Sequence, residues 1–159
     1  MSEAQKEAAR IAAYGKNECA GSQARAVADY AATFVGILPY VLGGASLTNG
    51  ADCSGFIGQI LAKFGLLDQN VANVHGYNSW GFRSLGTAVQ YDDSSLQALV
   101  SCLKPGDVIC YDGHVALYYG NGVVVHEPLP GRKAEWSGIM MKPILTIRRF
   151  ASSEPGFVQ

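Results

Sequence analysis

Charge of either sign is scarce in this 159-residue chain, in which charged residues make up 16% and the formal net charge is −1 at neutral pH. The twelve Lys and Arg residues are scattered rather than clustered. The sequence therefore offers no basic stripe of the kind that binds a nucleic acid backbone, and no nucleic-acid partner is predicted.

Long apolar runs are also missing. No stretch approaches the roughly 20 residues that a membrane span requires, and the opening MSEAQKEAAR contains no apolar segment of a secretory signal. We therefore expect no membrane span and no signal peptide in this chain. Three interpretations of its origin stay open: a cytosolic protein, an excised domain, or a cargo delivered by another route.

Cysteine is sparse, and its four copies are spread along the chain as Cys19, Cys53, Cys102 and Cys110. They form no CxxC pair, which weakens a zinc or thioredoxin-like interpretation. The chain is also too large and too rich in apolar residues to need a disulfide framework. We predict no metal and no cofactor, and we expect Cys102 and Cys110 to be small buried residues.

Apolar residues make up 48% of the chain, enough for one domain with a single core. Apolar spacing and capping residues predict helices over 2–14, 23–36, 53–64 and, shorter, 95–102. Residues 68–95 lack periodicity and are predicted to be loops with one short helix. Strands are predicted late, as VICYD, the hairpin HVALYYGNGVVVHEP and the closing ILTIRRF. Helices followed by strands indicate an α+β domain with an antiparallel sheet packed on helices.

The stretch NGADCSGFIGQILAKFG places a cysteine at the start of a predicted helix. Asp52 is a good N-cap residue, so Cys53 would lie in the first helical turn. Unpaired backbone N–H groups and the helix dipole favour negative charge there, and both lower the pKa of a thiol. The same N–H groups could hold an oxyanion. The alternative is a structural cysteine that opens a core helix.

A nucleophilic cysteine needs a base, which makes the three histidines decisive. His75 lies in a loop-like stretch and is interpreted as an ordinary surface residue. His114 opens one strand of the predicted hairpin and His126 ends the other. A lone histidine on a strand is usually structural, but two that share a face can act together.

The length of the hairpin loop decides whether these two histidines meet. A two-residue turn at 121–122 would point them to opposite faces of the hairpin. A three-residue loop at 120–122 would place His126 opposite Ala116, on the same face as His114 and within side-chain reach. The functional interpretation requires the shared face, and we therefore predict the longer loop.

Together these segments resemble the NlpC family of bacterial cell-wall cysteine peptidases. The matching pieces are PYVLGG, ADCSGFIGQIL, LKPGDVICYDGHVALYYGNGVVVHEP and the final ILTIRRF, which span about residues 24–150. The resemblance implies a papain-like α+β fold in which the helix bearing the nucleophile packs against a central antiparallel sheet. It also implies a catalytic core over 21–150. Residues 1–20 lie outside the resemblance and are predicted to form a helical N-terminal extension of the same single domain.

The resemblance assigns roles residue by residue. Cys53 matches the nucleophile, and His114 matches the general base and acid. His126 matches the third polar residue, which orients the imidazole. Tyr40 matches the tyrosine near the thiol that helps to hold the oxyanion.

Two residues that flank the thiol, Asp52 and Ser54, match positions that recognise the free amine of the substrate in some relatives. The chain departs from the family at Leu42, where many relatives have Trp. It departs again at Glu127, where a small residue is usual, so an acidic group is expected near the site.

The resemblance implies hydrolysis of peptidoglycan stem peptides, typically between D-γ-glutamate and a diamino acid, at the cell wall, in the periplasm or outside the cell. Three alternatives stay open: an amidase of the CHAP type, another acyl-transfer enzyme such as a deamidase or transglutaminase, and a non-catalytic wall-binding module. The biological role is equally open, and the chain could be part of, or cargo for, a larger secretion, phage or cell-wall assembly.

Overall fold

A six-stranded antiparallel sheet forms the centre of the computed structural model, which describes residues 23–74 and 78–150. The helices are α1 (Gln23–Ala32), α2 (Cys53–Lys63), α3 (Gln69–Asn73), α4 (Asn78–Gly81) and α5 (Leu96–Cys102). The strands are β1 (Ala45–Ser46), β2 (Gly50–Ala51), β3 (Thr87–Ala88), β4 (Val108–Tyr111), β5 (His114–Gly120), β6 (Val123–His126), β7 (Glu135–Gly138) and β8 (Ile144–Arg149). The helix predicted over 2–14, the extension over 1–20, Cys19 and His75 lie outside the described residues.

The strand order in the sheet is β3-β8-β4-β5-β6-β7, and every neighbouring pair is antiparallel. Strands β1 and β2 form a separate two-stranded ribbon beside the start of α2. The predicted α+β class with an antiparallel sheet packed on helices is confirmed.

Each face of the sheet is covered by a different apolar cluster, because alternate residues of a strand point to opposite sides. The cluster shared with α1 and α2 includes Val108, Cys110, Val115, Leu117 and Val125. The cluster on the other face includes Ile109, Tyr111, Ala116, Tyr118 and Val124, together with Leu99 of α5. The sheet is thus buried on both sides, which fixes its register.

Helix α2 confirms the helix predicted from Cys53, and it ends one residue earlier than expected. Its apolar stripe packs on the sheet, with Phe56, Ile57, Ile60 and Leu61 all 0% exposed. Gly65 follows the helix with φ +73°, a conformation that favours glycine at this position.

Helix α1 is shorter than predicted: it ends at Ala32 rather than at 36. The Thr33 hydroxyl donates to the Tyr30 carbonyl at 2.6 Å, and the following residues form single turns instead of a continued helix. A local side-chain bond of this kind competes with the helical pattern. Gly36, with φ +78°, then turns the chain.

The loop of the β5–β6 hairpin differs in length from the predicted one, but the hairpin still places His114 and His126 on the same face. Gly120 pairs with Val123, so the loop is the two-residue turn at 121–122 and the predicted three-residue loop is wrong. Both turn residues have positive φ, as the Asn-Gly pair favours. However, a bulge precedes the turn and restores the pairing of Tyr118 with Val124. This shifted register places the two histidines on one face, as predicted.

Several short elements were not predicted. Strand β7 and the 3-10 helix after it come from a segment interrupted by prolines and glycines, which shows no alternation of apolar residues. The strands β1, β2 and β3 contain two residues each. Such short strands form because neighbouring strands supply their hydrogen bonds, and this pairing cannot be inferred from the local sequence.

Candidate active site

Cys53 is the first residue of α2, and its side chain lies where the helix meets the start of β5. The residue is 9% exposed. The backbone N–H groups of Val115, Ser54 and Cys53 itself lie close enough to the sulfur to lower the pKa of the thiol. Because Val115 directly follows His114, the sulfur is placed one residue from the predicted base.

Burial nevertheless raises the pKa of the Cys53 thiol above its ordinary value, and the nearby Asp52 carboxylate adds to the rise. The expectation of a thiol pKa lowered by the helix N-terminus is therefore wrong for the net effect. The three N–H groups act in the expected direction, but the loss of hydration of a thiolate in this enclosed position outweighs them.

The Asp52 carboxylate holds the entrance of α2 in place through both of its oxygens. Oδ1 accepts hydrogen bonds from the Gly55 N–H at 2.7 Å and from the Ser54 hydroxyl at 3.2 Å. Oδ2 accepts one from the Gly43 N–H at 3.1 Å. The predicted N-cap is confirmed, and the same carboxylate also ties the preceding Gly-rich loop to the helix.

The two histidines contact each other directly. Nε2 of His114 and Nδ1 of His126 are 2.7 Å apart, and the residues are 6% and 5% exposed. The His114 ring also stacks on Tyr111 with centroids 6.1 Å apart, and the Tyr111 hydroxyl donates to the Ile139 carbonyl at 2.7 Å. The base is thus held by a neighbouring imidazole on one side and by an anchored aromatic ring on the other.

Both imidazoles are neutral at physiological pH. Burial, followed by His126 and Lys142, lowers the pKa of His114 to about 3. Burial, followed by Arg132 and Lys142, lowers the pKa of His126 to about 4. These pKa directions indicate a resting site in which a neutral His114 lies beside a protonated Cys53 thiol.

Tyr40 is held by backbone hydrogen bonds on both sides of its strand-like segment. Its N–H donates to the Arg132 carbonyl at 2.9 Å, and it forms a parallel bridge with Ala51, two residues before the cysteine. Burial raises the pKa of its phenol, with further contributions from Cys53, Asp52 and Glu127. The phenol therefore lies within electrostatic range of the thiol, as the predicted position requires.

Two acidic residues are neighbours of His126: Glu127 follows it in the chain, and Glu135 is paired with it across the sheet. Glu127 is 0% exposed, and neither carboxylate oxygen has a hydrogen-bond partner within the part of the chain that the structure describes. Burial, followed by the charge of Glu135, raises the pKa of Glu127 to about 8, so its carboxyl is mostly protonated at neutral pH. Sequence analysis noted Glu127 but missed Glu135, because the strand that carries it gave no signal.

Residues 23–74 and 78–150 lack the features of two other kinds of site. No helix in these ranges is long and apolar enough to cross a membrane. In the same ranges, no group of three or more His, Cys, Asp or Glu side chains is arranged so that it could hold a metal ion.

Comparison with known protein families gives one match. Residues 37–144 match the model of the NlpC/P60 family, which is more than half of the chain. The matched range includes Tyr40, Cys53, His114 and His126. No match was found among curated proteins.

Solved structures with the same fold come from several sources. NlpC2 from Trichomonas vaginalis is 20% identical with a TM-score of 0.62, and the match covers 82% of this chain and 47% of that one. The NlpC/p60 domain of the peptidoglycan hydrolase SagA is 25% identical with a TM-score of 0.59, covering 80% and 98%. An NlpC/P60 protein from Bacillus cereus is 26% identical with a TM-score of 0.60, covering 86% and 43%. This chain thus spans about half the length of several of the proteins it matches.

Proposed function

The chain belongs to the NlpC/P60 family, and on that premise we propose that it is a cysteine peptidase that hydrolyses peptidoglycan. The bond we assign to it lies between D-γ-glutamate and the diamino acid of the stem peptide. The observation that carries this proposal is the buried contact of 2.7 Å between His114 and His126 at the strand start that adjoins the thiol of Cys53.

The reaction begins with a neutral His114 and a protonated Cys53 thiol. The Cys53 sulfur forms a bond to the scissile carbonyl carbon while its proton passes to His114, which is unprotonated at neutral pH and so available as a base. The carbonyl oxygen takes up the electron pair of the broken π bond. The resulting imidazolium and oxyanion exist together only during the reaction.

The oxyanion is stabilised at the start of α2. The backbone N–H of Cys53 belongs to the first turn of α2, where unpaired N–H groups and the helix dipole favour negative charge, and the Tyr40 hydroxyl provides a second donor. His114 then gives its proton to the leaving amine as the C–N bond breaks. Water attacks the thioester with His114 again as the base, which releases the new carboxyl group and regenerates the thiol.

Recognition of the substrate's free amine is assigned to Asp52, supported by Ser54. Asp52 is 8% exposed and Ser54 is 2% exposed, and the Ser54 hydroxyl donates to Asp52. In this proposal the carboxylate of Asp52 faces the amine, and Ser54 contributes by holding that carboxylate in place. The site of action is then the cell wall, in the periplasm or outside the cell.

A digest of purified muropeptides tests both the activity and the bond. The wild-type chain should release fragments that end in D-glutamate, whose masses differ from those of an amidase, which separates sugar from peptide. Cys53→Ala should lose at least about 1000-fold in turnover, because the nucleophile is removed. Cys102→Ala changes a half-buried thiol on α5 and is the matched control.

Two results would overturn the proposal. Turnover by Cys53→Ala at the wild-type rate would remove this residue as the nucleophile. Fragments produced by cleavage between the sugar and the peptide would assign the amidase activity instead.

A further inference from the structure

We propose that Glu135 is a positioning residue that fixes the tautomer of His126 and, through it, presents the unprotonated nitrogen of His114 to the thiol. This inference rests on the proposed function, because it concerns the base of the same reaction. It adds a fourth side chain behind Cys53, His114 and His126.

The sheet brings Glu135 to the far side of the histidine pair. His126 ends β6 and is paired in register with Glu135, the first residue of β7. Nε2 of His126 lies 3.9 Å from Oε2 of Glu135. This distance exceeds a hydrogen bond by about 1 Å, which a small side-chain rotation can close.

Nε2 of His126 needs such a partner. It is buried and has no hydrogen-bond partner among residues 23–74 and 78–150. A buried ring nitrogen without a partner is unfavourable, because it has lost its hydrogen bonds to water, so a carboxylate oxygen at this position has a clear physical role.

An ion pair with Arg132 holds the Glu135 side chain in place. Its Oε1 accepts from Arg132 at 2.7 Å, which leaves Oε2 directed toward His126. The backbone carbonyl of Arg132 accepts from the Tyr40 N–H, so the segment that carries this ion pair is tied to the wall of the site. The carboxylate is therefore placed by both β-sheet register and an ion pair.

This arrangement determines which ring nitrogen of each histidine carries the proton. A carboxylate accepts hydrogen bonds, so Nε2 of His126 carries the proton and its Nδ1 is an acceptor. At 2.7 Å, that acceptor requires a proton on Nε2 of His114. The remaining nitrogen of His114, Nδ1, then has the lone pair that takes the proton of Cys53. With the opposite tautomer of His126, the base would lose its lone pair on the side of the thiol.

The charged groups around the two histidines are compatible with this assignment of tautomers. Burial, followed by the charges of Arg132 and Lys142, lowers the pKa of His126 to about 4, so the ring stays neutral beside Glu135 and its tautomer remains a defined property. The other nearby carboxyl, Glu127, is mostly protonated at neutral pH and makes no hydrogen bond among the described residues. It is therefore a poor candidate for the same role.

Nitrogen-15 NMR of the histidine rings tests the proposal in the wild-type chain. We expect His126 to carry its proton on Nε2. Glu135→Leu removes the acceptor and should shift His126 toward the Nδ1–H form. With muropeptide as substrate, kcat should fall on the order of 10-fold with little change in KM, by analogy with the smaller losses that follow removal of the outer partner of a metal-binding histidine.

Two further variants separate positioning from folding. Glu135→Gln keeps the shape and one acceptor oxygen, so it should recover part of kcat and of the Nε2–H tautomer, and it supplies the measurement if Glu135→Leu does not fold. Glu127→Gln is the matched control and should leave the His126 tautomer unchanged.

A wild-type His126 protonated on Nδ1, or a tautomer that does not respond to Glu135, would overturn the inference. The NMR readout needs no substrate. A wild-type chain that shows the expected tautomer but does not cut peptidoglycan would therefore defeat the proposed function and leave the positioning role standing.

Discussion

Helices α2 and α3 begin with the same local signal and meet very different surroundings. Asp52 caps α2 and Asp68 caps α3, each through hydrogen bonds to backbone N–H groups of the first turn. Asp68 is exposed, and among the residues that the structure describes its carboxylate bonds to the backbone of its own helix, at Asn70 and Val71. Asp52 is buried and also binds Gly43, nine residues earlier in the chain.

The difference shows that a helix start becomes a reactive site through what is packed around it. The cap of α3 is exposed, whereas the Gly-rich loop and the start of β5 enclose the first turn of α2. Enclosure brings the thiol to its base, and it also raises the pKa of that thiol. Three experiments can break or sharpen this comparison.

The largest expected effect comes from changing the third residue of each helix to alanine, which is Gly55 in α2 and Val71 in α3. In Gly55→Ala the new Cβ would overlap the Gly44 carbonyl oxygen and approach Oδ1 of Asp52 to 2.9 Å. We expect a loss of about 3 kcal/mol in the free energy of unfolding, measured by urea denaturation, because overpacking outweighs the better helix propensity of alanine.

The matched change in α3 is Val71→Ala, which removes atoms from a half-buried side chain in a short helix. It should cost less than about 1 kcal/mol. Equal losses in the two variants would mean that the close approach of the Gly-rich loop does not distinguish the two helix starts.

The caps themselves should differ by a smaller amount. Asp68→Ala removes an exposed cap, which is worth about 1 kcal/mol. Asp52→Ala removes a cap and also leaves the Gly43 N–H and the Ser54 hydroxyl without this acceptor, so we expect a loss of about 2 kcal/mol. Thermal or urea unfolding of both variants measures the difference. A smaller loss for Asp52→Ala than for Asp68→Ala would contradict the tertiary role of the buried carboxylate.

The smallest expected effect concerns the pH dependence of thiol alkylation. Because burial raises the pKa of Cys53, its alkylation by iodoacetamide should still rise about tenfold per unit between pH 7 and pH 8. Gln69→Cys places a thiol at the first position of α3, where the cap is exposed. The alkylation rate of this thiol should stop rising at a lower pH than that of Cys53, because the helix N-terminus lowers the pKa of a thiol that is not buried. Peptide mass spectrometry separates the two sites. A plateau for Cys53 already at pH 6 would show that the thiolate forms at rest.

Sequence analysis recovered most of the elements that a strong pattern specifies. The buried stripe of α2, the cap at Asp52 and the central strands all have local signals, and each was found. The hairpin shows the limit: the Asn-Gly pair correctly indicates a two-residue turn, but the bulge that brings His126 beside His114 leaves no mark in the sequence. Glu135 was missed for a similar reason, since β7 exists through its pairing with β6.

By itself, the sequence determined where the thiol begins its helix, which strands carry the histidines and which family the motifs resemble, because capping and apolar periodicity act over a few residues. Only the tertiary structure decided the protonation state of those groups and the identity of their outer partners. Desolvation depends on everything packed around a side chain, and the contact between Glu135 and His126 depends on sheet register. Neither quantity is encoded within a short stretch of the chain.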